Sequence, residues 1–336
     1  MYLEDEIDNR NNTRKIVEAG LFAALTIVIS FFVFYVPVIG MVALAVLPIP
    51  FAILYIRHDF KLAVSSLVVS IILVAVTMGI QIAVSVGSIY GPTGLALGYC
   101  FKNRVKMSRS VFLLAIVYIV GMALNVSFYL LFVDRNFIVN TIKSSIDLVR
   151  ESFEQSIRIT GTTIDSTQYE QLKQMIEAIT PEMFLYLLPG GLVLYGFGVG
   201  FINFTVTRSI LKRLRYEVIE ITPFERVYID NRIGALIIII TCLGIILDRT
   251  NLDIGKYIFS SAVVVLQFTL LLIGAAVIYY FAKNKFNMNK TSAVIITVAL
   301  ILPPMNTMAL YIGFADLIFD FRKVDPNRLF KGRNKQ

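Results

Sequence analysis

The chain has 336 residues, of which 57% are hydrophobic and only 16% charged. A soluble domain carries about 25% charged residues, so the composition excludes one and points to an all-α, polytopic membrane helix bundle. The net charge of +8 does not call for nucleic acid as a partner, because membrane proteins retain Lys and Arg on their cytoplasmic connectors.

Residues 1–15 read as a short, loosely ordered cytoplasmic tail. The first apolar run, Ile16 to Val36, spans roughly 30 Å at ~1.5 Å per residue, the thickness of a bilayer's hydrocarbon core. Its Leu, Ile, Phe and Val residues favour insertion by about 4 to 8 kcal/mol. Its one charge, Glu18, lies in the first turn, where headgroups or water reach it. Arg10, Arg14 and Lys15 precede the run and no charge follows in Pro37 to Gly40, which places the amino terminus inside.

The second span, about Val38 to Ile56, contains Pro48-Ile-Pro50 and should bend or open locally. Arg57 and Lys61 close it, and His58 between them reads as a solvated interfacial side chain rather than a metal ligand. Leu62 to Gly79 and Ile80 to Phe101 form spans three and four. Span four carries Gly94-xxx-Gly98, a face on which helix backbones approach closely, and Pro92, which should break or kink it. Span five, Val111 to Val133, holds Asn125 without a charged neighbour. An interhelical hydrogen bond and a pocket wall are both open to it.

Residues 134–182 differ in composition. Ile138, Ile142, Ile146, Val149, Phe153 and Ile157 recur at three- and four-residue spacing, one apolar stripe on a helix. A break at Thr160 to Thr163 and a capping box at Thr167 and Glu170 predict a second helix, ended by Pro181. We expect an extracytoplasmic hairpin over the outer mouth of the bundle. Span six, about Met183 to Thr207, offers Gly196-xxx-Gly200. The connector 210–232 is basic and expected inside, with its LKRLRYEVIE segment a candidate interfacial helix. Ile233 to Leu247 and Tyr257 to Ala282 are spans seven and eight. The last apolar stretch, Ser292 to Phe319, is interrupted by Pro303-Pro304. A broken hairpin entering and leaving on the cytoplasmic side keeps the basic tail, 321–336, inside.

No HExxH, GxSxG, Walker or zinc spacing occurs. Hence no catalytic residue, metal or cofactor is expected, and the chain is not read as an enzyme. Cys100 and Cys242 read as small hydrophobes. Asp316 and Asp320 are expected to pair with Arg322 and Lys323 at the interface. Polar candidates for a ligand pocket in the outer halves of the spans are Tyr35, Gln81, Ser85, Asn125, Tyr129 and Tyr186.

In TRKIVEAGLFAAL the small residues Ala19-xxx-Ala23 and Gly20-xxx-Ala24 form a face on the first helix. With the six-span charge pattern, this face makes residues 1–210 resemble the substrate-binding S component of energy-coupling-factor (ECF) transporters. The whole chain, with its basic linker and the closing GFADLIFDFRK, is similar to the uncharacterised YybS family of Gram-positive membrane proteins. The first resemblance implies a six-span bundle over 16–209 with its ends cytoplasmic; the membrane helices expected over 233–320 and the 134–182 insertion are additions to that pattern. It also implies docking of Ala19, Gly20, Ala23 and Ala24 on a transmembrane coupling subunit, and ATPases that supply energy for moving an unknown small molecule. The alternative function is a scaffold or interaction protein of the cell envelope.

Overall fold

The computed structural model describes residues 2–160, 174, 180–250 and 252–324. Among them every regular element is helical. Eight stretches of the described residues are long and apolar enough to cross a membrane, the chain being an all-α, polytopic membrane protein.

Helix α1 runs from Tyr2 to Tyr35, through the stretch expected to be a loose tail. No Gly or Pro interrupts residues 2–19, so nothing stops the first span from propagating backwards. Helices α2 (Pro37–Val46) and α3 (Ile49–Arg57) make up the second span, separated by a turn at Leu47 and Pro48. Asp59 caps α4 (Phe60–Met78), its carboxylate accepting from the Leu62 amide at 2.8 Å. Gly79, at φ +96°, then reverses the chain into α5 (Ile80–Ser85). A π-helical turn, Val86–Tyr90, links α5 to α6 (Gly91–Lys102). Pro92 therefore does not break the span. Its ring would clash with the carbonyl four residues back in an α-helix, and the wider π turn relieves this.

Helix α7 spans Met107–Phe132 and α8 spans Phe137–Thr160. The α8 stripe is present, with Ile146 buried, although Val149 is 51% exposed. The predicted break after Thr160 and the second helix of the hairpin lie outside the described residues. Helix α9 (Pro181–Arg213) is followed by α10 (Asn231–Arg249), α11 (Asp253–Asn284), α12 (Lys290–Ile301) and α13 (Asn306–Phe319). Pro303-Pro304 interrupts the last apolar stretch as expected, and α12 and α13 meet at 104°.

The interfacial helix expected in LKRLRYEVIE is corrected. Helix α9 stops at Arg213, Arg215 takes φ +64°, and residues 216–223 are non-helical. Val218, Ile219, Ile221 and Thr222 are β-branched and Pro223 follows, a poor helical sequence. Tyr216, Val218 and Ile219 pack on a buried cluster that includes Phe101, Leu114, Phe204 and Leu211.

The chain divides into two compact units, Met1–Asn140 with Tyr195–Glu220, and Thr141–Leu194 with Ile221–Gln336. In the first, Gly94 and Gly98 lie on α3, where an added Cβ would meet the Pro48 carbonyl or come within 2.6 Å of Tyr55 Cβ. Gly196 and Gly200 likewise lie against Ala115 of α7. In the second, Gly274 of α11 and Gly313 of α13 let two helix backbones touch, and a Cβ on either would fall on a carbonyl oxygen of the other helix. Without a hydrophobic drive between helices in lipid, this close packing supplies much of the cohesion.

Candidate functional site

In the first unit, polar residues gather at both ends of the spans. At the end bearing Arg57, Lys102 and Arg104, Glu18 of α1 accepts from His58 at 2.9 Å and lies 3.6 Å from both Arg57 and Arg14. His58 is thus a half-buried partner of Glu18, its side chain 15% exposed, and not the solvated residue expected from sequence. Arg57 also donates to the Tyr216 hydroxyl at 2.8 Å. Lys102 caps the end of α3 by donating to the carbonyls of Tyr55 and His58. The cluster neutralises the one charge of the first span and ties α1, α3, α6 and the non-helical connector together.

The opposite end of this unit carries five of the six candidate pocket residues. The Asn125 amide, buried on α7, donates to Ser85 Oγ at 3.0 Å and reaches Ser88 Oγ at 3.5 Å. Both serines flank or belong to the π turn, and π turns recur at functional positions. The carboxamide joins α7 to the α5–α6 span, so an interhelical bond is formed. Gln81, one turn before Ser85, is exposed, and its carbonyl accepts from Ser85 Oγ at 3.2 Å. Tyr129, one turn beyond Asn125, stacks on Phe137 with ring centroids 4.7 Å apart. Tyr35 is exposed and stacks on Phe31. Tyr186 belongs to the second unit, where its ring meets Tyr257 edge to face and its carbonyl accepts from Ser261 at 3.0 Å.

Of the small-residue face, Ala19 and Ala23 are buried inside the first unit, and the Ala19 carbonyl accepts from Ser66 of α4 at 2.9 Å. Gly20 and Ala24 face outward, with nothing within 4 Å of a Cβ placed at Gly20.

The second unit holds an ion-pair network. Asp316 stands one turn before the end of α13. Asp320 then adopts a left-handed backbone, φ +46°, which Asp tolerates better than most residues. Its carboxylate accepts from the Val324 amide at 2.9 Å. This turn brings Arg322 back onto Asp316, donating to Oδ2 through Nη2 at 2.9 Å and Nε at 3.1 Å. The two side chains are 0% and 4% exposed, so this is a buried pair and not the interfacial contact expected. Arg322 also donates to the Glu225 carbonyl at 3.1 Å, and the Glu225 carboxylate takes Lys283 of α11 at 2.7 Å. Asp316 Oδ1 is buried with no hydrogen-bond partner among the described residues. Beside the network, a cavity of about 480 Å³ is lined by Glu225, Arg226, Tyr280, Asn284, Arg322 and Lys323.

Sequence reading foresaw that Asp316 would pair with a following cation but not the reach to Glu225. The available signal was an acid one turn before the end of an apolar run with an Arg six positions on. Asn203 and Thr207, buried four apart on α9 with unpartnered oxygens among the described residues, were also missed. Ser, Thr and Asn are too common in membrane spans for spacing alone to single them out.

Residues 24–317 match a family described as predicted membrane protein (DUF2232). The chain is 26% identical over 315 residues to the uncharacterised protein YybS of Bacillus subtilis (strain 168), covering 92% of this chain and 98% of that protein. No solved structure matches.

Proposed function

Since the chain belongs to the DUF2232 family of predicted membrane proteins, we propose that it is a solute-binding subunit of the cytoplasmic membrane, similar in role to an ECF S component. It captures a small neutral or weakly polar molecule from outside and relies on a partner for energy. Both termini face the cytoplasm, on the side to which Lys and Arg connectors are retained.

The observation that carries this reading is the buried Asn125 amide against Ser85 and Ser88 at a π turn. Polar groups inside a span are costly and are kept where they bind helices or ligands. This set stands beside exposed Gln81 and half-buried Tyr129, at the end that the charge rule assigns to the outside. The chain acts here by binding, and energy comes from the partner, since no nucleotide-binding or catalytic spacing occurs in its sequence. The partner would be a transmembrane coupling subunit carrying ATPases, docked on the outward-facing Gly20 and Ala24.

Two measurements test it. Purified protein screened against vitamins and related solutes should gain thermal stability with one of them, and Asn125→Leu should remove the gain. Affinity purification from native membranes should recover ATPase subunits, and Gly20→Leu with Ala24→Leu should release them while leaving insertion intact. Failure to recover an ATPase from wild-type membranes would favour the envelope scaffold.

A further inference from the structure

We propose that the second unit holds an anionic phospholipid, its acyl chain in an apolar groove between α11, α12 and α13 and its phosphate on Lys285 and Lys290. The groove has a volume of about 580 Å³ and includes Ile278, Phe281, Phe286, Ile296, Leu300 and Ala315. That volume lies within the roughly 300–1,000 Å³ of small-ligand sites. Its lining residues are all apolar, so a soluble polar solute has nothing to bond there. The groove exists because α12 and α13 diverge at 104° while α13 is held on α11 through Gly274 and Gly313.

Charge selects the headgroup. Lys285 Nζ sits 5.6 Å from the centre of the Phe281 ring, on a residue that itself lines the groove. Phe286 and Met288, next along the chain, line it too, and Lys290 opens α12 beyond them. The neighbouring Lys283 is already taken by Glu225 at 2.7 Å. Among the described residues neither Lys285 nor Lys290 pairs with a carboxylate, and both are exposed. Lys285 follows the last residue of α11 and Lys290 is the first of α12, positions at the ends of apolar helices from which lysines reach lipid phosphates. An apolar groove flanked in the chain by two cations without carboxylate partners among the described residues complements a lipid of net negative charge better than a zwitterionic one, whose ammonium offsets its phosphate.

The full chain, delipidated in neutral detergent, would be titrated with dioleoyl phosphatidylglycerol, dioleoyl phosphatidylcholine or glycerol 3-phosphate while its unfolding temperature is followed. Phosphatidylglycerol should raise it by several degrees and the other two should not. Lys285→Gln with Lys290→Gln should abolish the rise without changing the unfolding temperature in detergent alone. Ala315→Phe, which fills the groove, should abolish it as well, and if that variant does not fold the lysine pair decides. An equal rise with phosphatidylcholine would overturn the proposal by making the groove a generic apolar surface. An equal rise with glycerol 3-phosphate would reduce the site to an anion contact. Full retention of the effect in the lysine variant would place the lipid elsewhere.

Discussion

At the scale of single residues, the Asp316–Arg322 pair has the largest consequence. Both side chains are removed from water, and a buried charge that loses its partner typically costs about 3–5 kcal/mol. Arg322→Met should therefore destabilise the protein by about that amount, read as a fall in unfolding temperature or a loss of folded protein from membranes. Arg322→Met combined with Asp316→Leu should recover most of the loss, because two apolar groups leave no orphaned charge. Asn125 is different. Its amide is neutral and interhelical hydrogen bonds in membranes average about 0.6 kcal/mol, so Asn125→Leu should unfold close to wild type in the same assay. Under the proposed function the same variant should lose the ligand-induced gain in stability, which separates a binding role from a packing one.

At the scale of elements, helix contacts are set by where side chains are missing. Gly274 and Gly313 bring α11 and α13 into backbone contact. Gly274→Leu or Gly313→Leu should force the helices apart, lowering the unfolding temperature well beyond the effect of an ordinary surface change. Gly20→Ala is the control. Nothing lies within 4 Å of its added Cβ, and Ala is favoured over Gly in a helix by about 1 kcal/mol, so stability should hold or rise slightly. The π turn before Pro92 illustrates the same economy. The proline was legible in the sequence, but the π turn before it was not, nor its fit against α7, where the missing side chain of Gly121 admits the Ser88 carbonyl. The basic connector after α9 is a candidate interfacial helix by composition, yet residues 216–223 are non-helical. What decides it is the packing of Tyr216, Val218 and Ile219 on the cluster around Phe204.

At the scale of the whole molecule, orientation governs every functional statement. The charge rule predicts that a cysteine placed at Arg150 in α8 is labelled from outside intact cells by an impermeant maleimide, and that one at Lys212 is not. Both positions are exposed, so access to the side chain itself does not decide the result. The native Cys242 is exposed and Cys100 buried, so the experiment starts from a variant with Ser at both. Labelling at 212 with protection at 150 would invert the topology and turn the Asn125 end toward the cytoplasm.

Sequence alone determined the class of protein, the spans and their approximate ends, since insertion into lipid depends on summed hydropathy over about 20 residues and needs no knowledge of neighbours. It also marked the close-packing faces Gly94-xxx-Gly98 and Gly196-xxx-Gly200, because small residues one turn apart have one main use in a membrane. Tertiary structure decided which polar residues meet. Glu18 with His58, Asn125 with Ser85, and Arg322 with Glu225 are separated by 40 or more positions in the chain. A hydrogen bond acts over about 3 Å, and no local pattern encodes which distant partner will arrive within it.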